Sequence, residues 1–291
     1  MPQLSIIIPS YQRVDLLQAC LQSIRQNRVP GDELQVIVVD DASAHHAVSR
    51  VAQSFAEVTV IRQGKRLGFC AAVNAGLHQA TAPIVQVLND DAEVLPGWYA
   101  PALQRFQQNS RLGSLAPLVL QWQNQQLIDS AGDGYDPGGY AYSHGKGQQV
   151  SEVWLQPRLV YSTPASAGFY RRAALQQVGG FPEEFVAYFD DLEVGLRLQQ
   201  AGFCCLYEPA SRALHHGSAS HGKSPRRRLT QQLACNEERL FWRQEHAWQH
   251  LPRHAAVLAA KAVRRWADGT LIPFLAGRIQ AWYEVSVRTT V

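Results

Sequence analysis

Leu34-Gln-Val-Ile-Val-Val-Asp-Asp41 is an apolar run of strand length that stops at two carboxylates. A short apolar run without alternation belongs to a strand buried on both faces, and such strands make parallel sheets covered by helices. Upstream, residues 4–9 form a second run of this kind, and Leu16, Leu17, Cys20, Leu21 and Ile24 recur between the two at helical spacing. Downstream, Val48, Val51, Ala52 and Phe55 mark a helix, residues 58–61 a strand, 68–80 an Ala-rich helix, and 83–88 a strand ending at Asn89-Asp90-Asp91. This alternation predicts an α/β fold with a mostly parallel central sheet and helices on both faces. Ligands of such sheets bind beyond the carboxyl ends of the strands. Ser10, Tyr11 and Arg13 gather there, as do Asp40, Asp41 and residues 89–91.

The remaining chain is less regular. Residues 121–147 are rich in Gly, Gln and Tyr and read as loops or short hairpins, a composition suited to a lid or a substrate contact. Order resumes at 161–171. A helix follows Phe189-Asp-Asp-Leu-Glu-Val194, with Gly202 as its C-terminal stop, and two short strands are expected at 204–207 and 211–214. From Lys223 the pattern is helical. Leu229, Leu233, Leu240, Phe241 and Trp248 are expected on one stripe, and Pro252 and Pro273 break the segment into pieces. No internal repeat is evident.

Composition narrows the function classes. The 291 residues are 46% apolar and 18% charged, which excludes a disordered chain. No uncharged apolar run reaches the roughly 18 residues of a membrane span. The N-terminus shows no basic, apolar and cleavage-site series, and the five cysteines form no CxxC pair, so a cytoplasmic chain is expected. Charge is uneven: from Lys223 onward there are 12 Lys/Arg against 5 Asp/Glu, whereas the first 222 residues hold 15 against 19. That balance speaks against a nucleic-acid partner. It suggests a soluble enzyme whose tail, with Trp242, Trp248, Trp266 and Trp282 among its basic residues, faces an anionic surface such as the inner membrane. Solvated basic helices or a dimer contact would leave the same composition.

Four clusters carry chemistry. In Leu88-Asn-Asp-Asp-Ala-Glu-Val94 an extended chain would point Asn89, Asp91 and Glu93 together and Asp90 away, which suits a hard divalent cation. Asp190-Asp191 opens a helix. A carboxylate there is either a cap or a general base, and the helix dipole is expected to lower its pKa. Leu214-His-His-Gly-Ser-Ala-Ser220 follows a short strand and can aim an imidazole at a metal. A zinc site from His215, His216, His221 and Cys235 matches no zinc module. Gly64-Lys-Arg-Leu-Gly-Phe69 opens a helix and favours an anion such as pyrophosphate, although neither a GK[ST] nor a G-x-G-x-x-G motif is present.

Seven motifs in series, Ser5-Ile-Ile-Ile-Pro-Ser-Tyr-Gln-Arg13, Val36-Ile-Val-Val-Asp-Asp-Ala-Ser43, Leu67-Gly-Phe-Cys-Ala-Ala-Val-Asn-Ala-Gly76, Val87-Leu-Asn-Asp-Asp-Ala-Glu-Val94, Ala167-Gly-Phe-Tyr-Arg-Arg172, Val178-Gly-Gly-Phe181 and Phe189-Asp-Asp-Leu-Glu-Val-Gly-Leu-Arg-Leu198, together resemble family 2 glycosyltransferases, inverting enzymes of the GT-A fold. The resemblance spans about residues 4–220 and divides the chain into a catalytic domain, 1–222, and a helical segment, 223–291, that faces a membrane or an acceptor. It implies a nucleotide pocket lined by Pro9, Ser10, Tyr11 and Arg13, a nucleobase edge at Asp41 with Asp40 beside it, and Arg66 and Gly68 near base and phosphates. It implies Mn²⁺ or Mg²⁺ at Asp91, with Asn89 and Asp90 adjoining and His215 completing the site (His216 as the fallback), and Asp191 as general base. Asn89 departs from the family's Asp-X-Asp pattern, so one direct carboxylate, water and pyrophosphate would hold the cation. The implied partners are a nucleotide-diphosphate sugar and a saccharide or lipid-linked acceptor in envelope polysaccharide synthesis, rhamnosyl transfer being one form. The competing readings are a nucleotidyltransferase, for which Pro-Ser-Tyr-Gln-Arg13 is a poor phosphate cradle, and a catalytically silent saccharide-binding protein.

Overall fold

β1 (Leu4–Ser10) is buried along its whole length and sets the two faces of the sheet. Ile6 and Ile8 pack with Leu17, Cys20 and Leu21 of α1 (Val14–Asn27) and Val48 of α2 (Ala47–Gln53), while Ile7 packs with Cys70, Val73 and Leu77 of α3 (Phe69–Gln79). Successive strand residues point to opposite faces, so an unbroken apolar run means a helix on each side. β1 pairs in parallel with β2 (Leu34–Asp40) and with β4 (Ile84–Val87), and β3 (Val58–Arg62) extends the parallel set beyond β2. The computed structural model describes residues 2–217 and 226–288, with side chains to 284. It divides into two units, Met1–Gly134 with Ser143–Gly217, and Tyr135–Tyr142 with Ser218–Val291.

The first unit continues through β5 (Ala92–Val94), α4 (Ala100–Gln108), β6 (Leu112–Gln121) and β7 (Asn124–Ser130). A ribbon follows, β8 (Asp133–Asp136) with β9 (Tyr140–Ser143), and then β10 (Arg158–Val160), β11 (Phe169–Arg171), α5 (Arg172–Gln177), α6 (Asp190–Gln200) and β12 (Cys204–His215). The sheet has ten strands in the order β10-β12-β6-β11-β4-β1-β2-β3, with β5 on β12 and β7 on β6. Beyond the parallel set it is mixed: β11 runs antiparallel between β4 and β6, and β12 runs parallel to β6. The two short strands expected at 204–207 and 211–214 are a single strand. The ladder against β6 jumps from the Glu208–Pro117 pair to the Arg212–Leu118 pair. Pro209 has no N–H to give, so a bulge interrupts the pairing without ending the strand. Gly202 closes α6 with φ +85°.

The second unit holds the ribbon tip and α7 (Arg226–Arg243), α8 (Leu251–Ala267) and α9 (Leu271–Arg288). Pro252 and Pro273 stand in the first turns of α8 and α9, where a missing N–H costs nothing, so they mark helix starts. Leu240 and Phe241 are buried as expected, whereas Trp248 lies past the end of α7 and is 64% exposed, off the stripe. His254 stacks on Phe241 with centroids 3.6 Å apart, its Nδ1 meets the Gly138 carbonyl at 2.8 Å, and its Nε2 lies 3.3 Å from Glu238. None of the described helices is long and apolar enough to cross a membrane.

Candidate active site

Register brings the polar strand ends together. Ser10 closes β1 opposite Asp40 at the end of β2. β12 runs antiparallel to β5, which pairs His215 with Ala92, and the His216 N–H donates to the Asp91 carbonyl at 2.9 Å. Residues 89–91 are not extended. The Ala92 N–H donates to the Asn89 carbonyl at 3.1 Å, closing a turn. The alternation expected from an extended chain therefore fails: Asp90 and Asp91 turn to one cation, with Arg13 Nη2 2.8 Å from Asp90 and Nη1 2.7 Å from Asp91. Asn89 is half-buried, and Glu93 faces Trp122 and His216 instead.

The two acids of this turn differ in charge preference. Asp90 is fully buried and accepts from Ser10 Oγ at 2.7 Å, and burial pushes its carboxyl up to about 7 against Arg13's attraction. Burial also raises Asp91, but the bond from His215, that ring's charge and Arg13 together outweigh it and hold the carboxyl below its ordinary value. His215 Nε2 stands 3.3 Å from Asp91, and its Nδ1 is 2.8 Å from Asp129. Burial disfavours the imidazolium, but the two carboxylates reverse this and lift His215 to about 9. An imidazole fixed by a carboxylate on one nitrogen and aimed at a carboxylate with the other is a known way to orient a metal-binding histidine. Among the described residues no three His, Cys, Asp or Glu side chains converge on one point, and Asp91 and His215 are the two donors brought together here. Two protein donors fit a hard cation that takes its other oxygens from a diphosphate and water. His221 and the rest of that motif after Gly217 lie outside the described residues, and Cys235 is buried in α7.

The expected nucleotide side is built from loops. Pro9 is buried in β1, and the Arg66 guanidinium covers the half-buried Tyr11 ring at 4.1 Å. Asp41 accepts the N–H groups of Leu67 and Gly68 at 2.7 and 3.0 Å, so it holds the basic loop that opens α3. Each carboxylate oxygen keeps a further lone pair for a donor edge. Asp40 is fully buried and receives Ser43 N–H, Ser49 Oγ and Arg62. Asp40 and Asp90 thus brace the residues in front of them.

Gly68 has φ +98°, and an added Cβ would lie 2.6 Å from Val186 Cγ1 and 3.1 Å from the Val186 carbonyl oxygen. Val186, Tyr188 and Phe189 themselves have φ of 62°, 72° and 62°. Positive φ in non-glycine residues is costly and clusters at functional sites, and here it delivers Asp190 and Asp191 to the start of α6. Asp191 accepts the N–H of Leu192 at 2.8 Å and of Ala165 at 3.3 Å. Next to Ala165, the Ser166 carbonyl accepts the Asn89 N–H at 2.9 Å. One short loop therefore ties the Asp191 carboxylate to the 89–91 turn. The expected lowering of the Asp191 pKa by the helix N-terminus is overturned: burial dominates and raises it, despite the two N–H bonds. Asp190 is raised further, by burial and by Asp191's charge, and its Oδ2 has no partner.

Two acids escaped the sequence reading. Asp129 orients His215 from 86 residues away. Asp133 is 6% exposed, accepts Ser143 Oγ at 2.7 Å, leaves Oδ2 without a partner, and is raised by burial and then by Asp191's charge. Both lie in the segment read only as loops. The sole signal was the acid content of a Gly-rich stretch, which gives no partner.

Residues 5–121 match the sequence model described as "Glycosyl transferase family 2". Over those residues the chain is similar to that family. This chain is 27% identical over 228 residues to an N-acetylglucosaminyl-diphospho-decaprenol L-rhamnosyltransferase of Mycobacterium tuberculosis, covering 66% of this chain and 69% of that one. Among solved structures it is similar to GalNAc-T7 with UDP, GalNAc and Mn²⁺ (TM-score 0.66, 16% identity, 83% of this chain and 48% of that one). It is also similar to a mannosyltransferase of Pyrobaculum calidifontis in complex with GDP-Man and Mn²⁺ (TM-score 0.59, 20% identity, 97% and 88%). The fold is GT-A. This chain spans 25% of the length of one bacterial relative and 18% of another.

Proposed function

We propose that this chain transfers a sugar from a nucleotide-diphosphate sugar to a hydroxyl of a saccharide or lipid-linked acceptor in one inverting displacement. The observation that carries the reading is the loop at 164–168, which bonds the Asn89 backbone on one side and the Asp191 carboxylate on the other. A leaving-group site and a proton acceptor must sit on opposite sides of one anomeric carbon, and this loop holds one at each of its contacts.

Asp191 accepts the acceptor's proton as the new bond forms. Burial raises its pKa and so strengthens it as a base. The stacked Tyr11–Arg66 pair and the Asp41-held loop form the nucleotide side, with Arg13 beside the diphosphate. Asp91 and His215 would hold Mn²⁺ or Mg²⁺, which supplies charge neutralisation to the departing diphosphate. The M. tuberculosis relative, named for rhamnosyl transfer to a decaprenol-linked acceptor, supports a lipid-linked acceptor in cell-envelope polysaccharide synthesis.

A thermal-shift panel of UDP-, dTDP- and GDP-sugars, with and without Mn²⁺, tests this. One nucleotide class is expected to stabilise the protein, and more so with Mn²⁺. No stabilisation by any of them, together with no transfer, refutes the reading.

A further inference from the structure

α9 carries two unlike faces. Phe274, Gly277, Arg278 and Ala281 are buried, and Gly277 is needed because any Cβ there would strike the Gln231 carbonyl of α7. The other face shows Ile272, Leu275, Ile279, Trp282 and Tyr283, exposed by 82, 45, 67, 59 and 67%. Spacings of three and four residues place them on one stripe. α8 ends in the same manner, with Val263 and Trp266 exposed by 68 and 74%. Such large apolar side chains in a continuous outward stripe mark a contact surface.

Charge identifies what the surface meets. The turn between α8 and α9 holds one acid, Asp268, and Arg226 and Arg265 reach it at 3.2 and 3.4 Å. Arg227, Arg228 and Arg264 are exposed on the same two helix ends. Five guanidinium groups thus stand on these two helix ends against one turn carboxylate, which pairs with Arg226 and Arg265. Two copies of this face would set arginine against arginine, so a second copy is disfavoured. A nucleic acid would match the arginines and leave the apolar stripe in water. A surface with anionic headgroups above an acyl boundary satisfies both, with Trp and Tyr at the level where their amphipathic rings are most stable.

We propose that the α8–α9 corner docks on an anionic lipid bilayer, lying in the interface without crossing it. The inference stands apart from the sugar-transfer reading. The test is sedimentation of the full chain with vesicles of phosphatidylcholine containing a quarter phosphatidylglycerol, against phosphatidylcholine alone. Binding to the anionic vesicles that weakens with added salt is expected. Neutralising Arg227, Arg228 and Arg264 to Gln together should weaken partitioning by about a hundredfold, at about fivefold for each charge. Trp266→Ser with Ile272→Ser and Ile279→Ser should abolish binding while circular dichroism stays unchanged, since all three side chains are exposed. No sedimentation with anionic vesicles at low salt overturns the proposal. So does a stable dimer, measured by light scattering, that Ile279→Ser dissociates and that hides the chain from vesicles. Equal binding by the apolar triple variant overturns it as well.

Discussion

Gly68→Ala tests how the two halves of the site are joined. The backbone at Gly68 has φ +98° and ψ 176°, a region open almost solely to glycine, which costs an alanine about 1–3 kcal/mol. The new methyl would also stand 2.6 Å from Val186 Cγ1 and 3.1 Å from its carbonyl, adding overpacking of about 1–3 kcal/mol. Relief by movement is limited. The Gly68 N–H is held by Asp41 and the Val186 carbonyl by the Cys70 N–H, at 3.0 and 3.2 Å. A loss of about 3 kcal/mol is expected, a drop of roughly 6–12 °C in Tm for a unit of this size. Because Val186 leads directly into Asp190 and Asp191, kcat should fall by about a hundredfold where the protein is still folded, since misplacing a reacting group by about an ångström has that effect. Urea unfolding and initial rates at matched folded fraction provide the readout. In the Gly68→Ala background, Val186→Ala removes the 2.6 Å clash and leaves the φ strain, so it should restore about half of the lost stability. A Gly68→Ala protein of wild-type stability and rate refutes the argument, and so does a Val186→Ala double variant that recovers nothing.

Three further outcomes follow from the site. Asp191→Asn should keep Mn²⁺-dependent nucleotide binding by calorimetry and lose transfer by about 10²–10⁴-fold, the usual share of a general base; full activity would remove the base assignment. Asp129→Ala should weaken Mn²⁺ affinity by about 10–100-fold, because the His215 ring loses the partner that fixes its orientation; an unchanged titration would leave Asp129 without that role. Asp191→Asn should let the Asp133 carboxyl ionise at lower pH, read by infrared titration. The sign follows from charge: the Asp191 carboxylate raises Asp133 beyond what burial alone does, so neutralising it lowers that pKa. An Asp133 carboxyl that titrates unchanged would count against the pairing.

The sheet was readable because its strands are apolar on both faces, as Ile6, Ile7 and Ile8 show by packing into opposite layers. The positions of Asp91, Asp191 and His215 were readable, since each stands at the end or start of a regular element. What escaped depended on contacts distant in sequence. The turn at 89–91 is fixed by Arg13 nearly eighty residues upstream, which no local pattern encodes. Asp129 and Asp133 take their meaning from His215 and Asp191, which the fold brings beside a Gly-rich stretch of no clear periodicity. The pKa of Asp191 was misjudged because the helix-end effect is legible in sequence whereas dehydration by neighbours is not. β12 looked like two strands because proline usually ends a run, yet in this sheet it makes only a bulge.

The bend at Val186, Tyr188 and Phe189 has a bearing on attempts to make a sturdier version of this protein. Three residues held in a left-handed backbone region are places where glycine would relax the native chain. A screen for heat resistance would find Tyr188→Gly attractive on those grounds. The same relaxation would let the start of α6 wander, and turnover would decline as robustness rose. Hardiness and speed are set against each other in these few residues, so a useful variant would have to gain its durability elsewhere in the molecule.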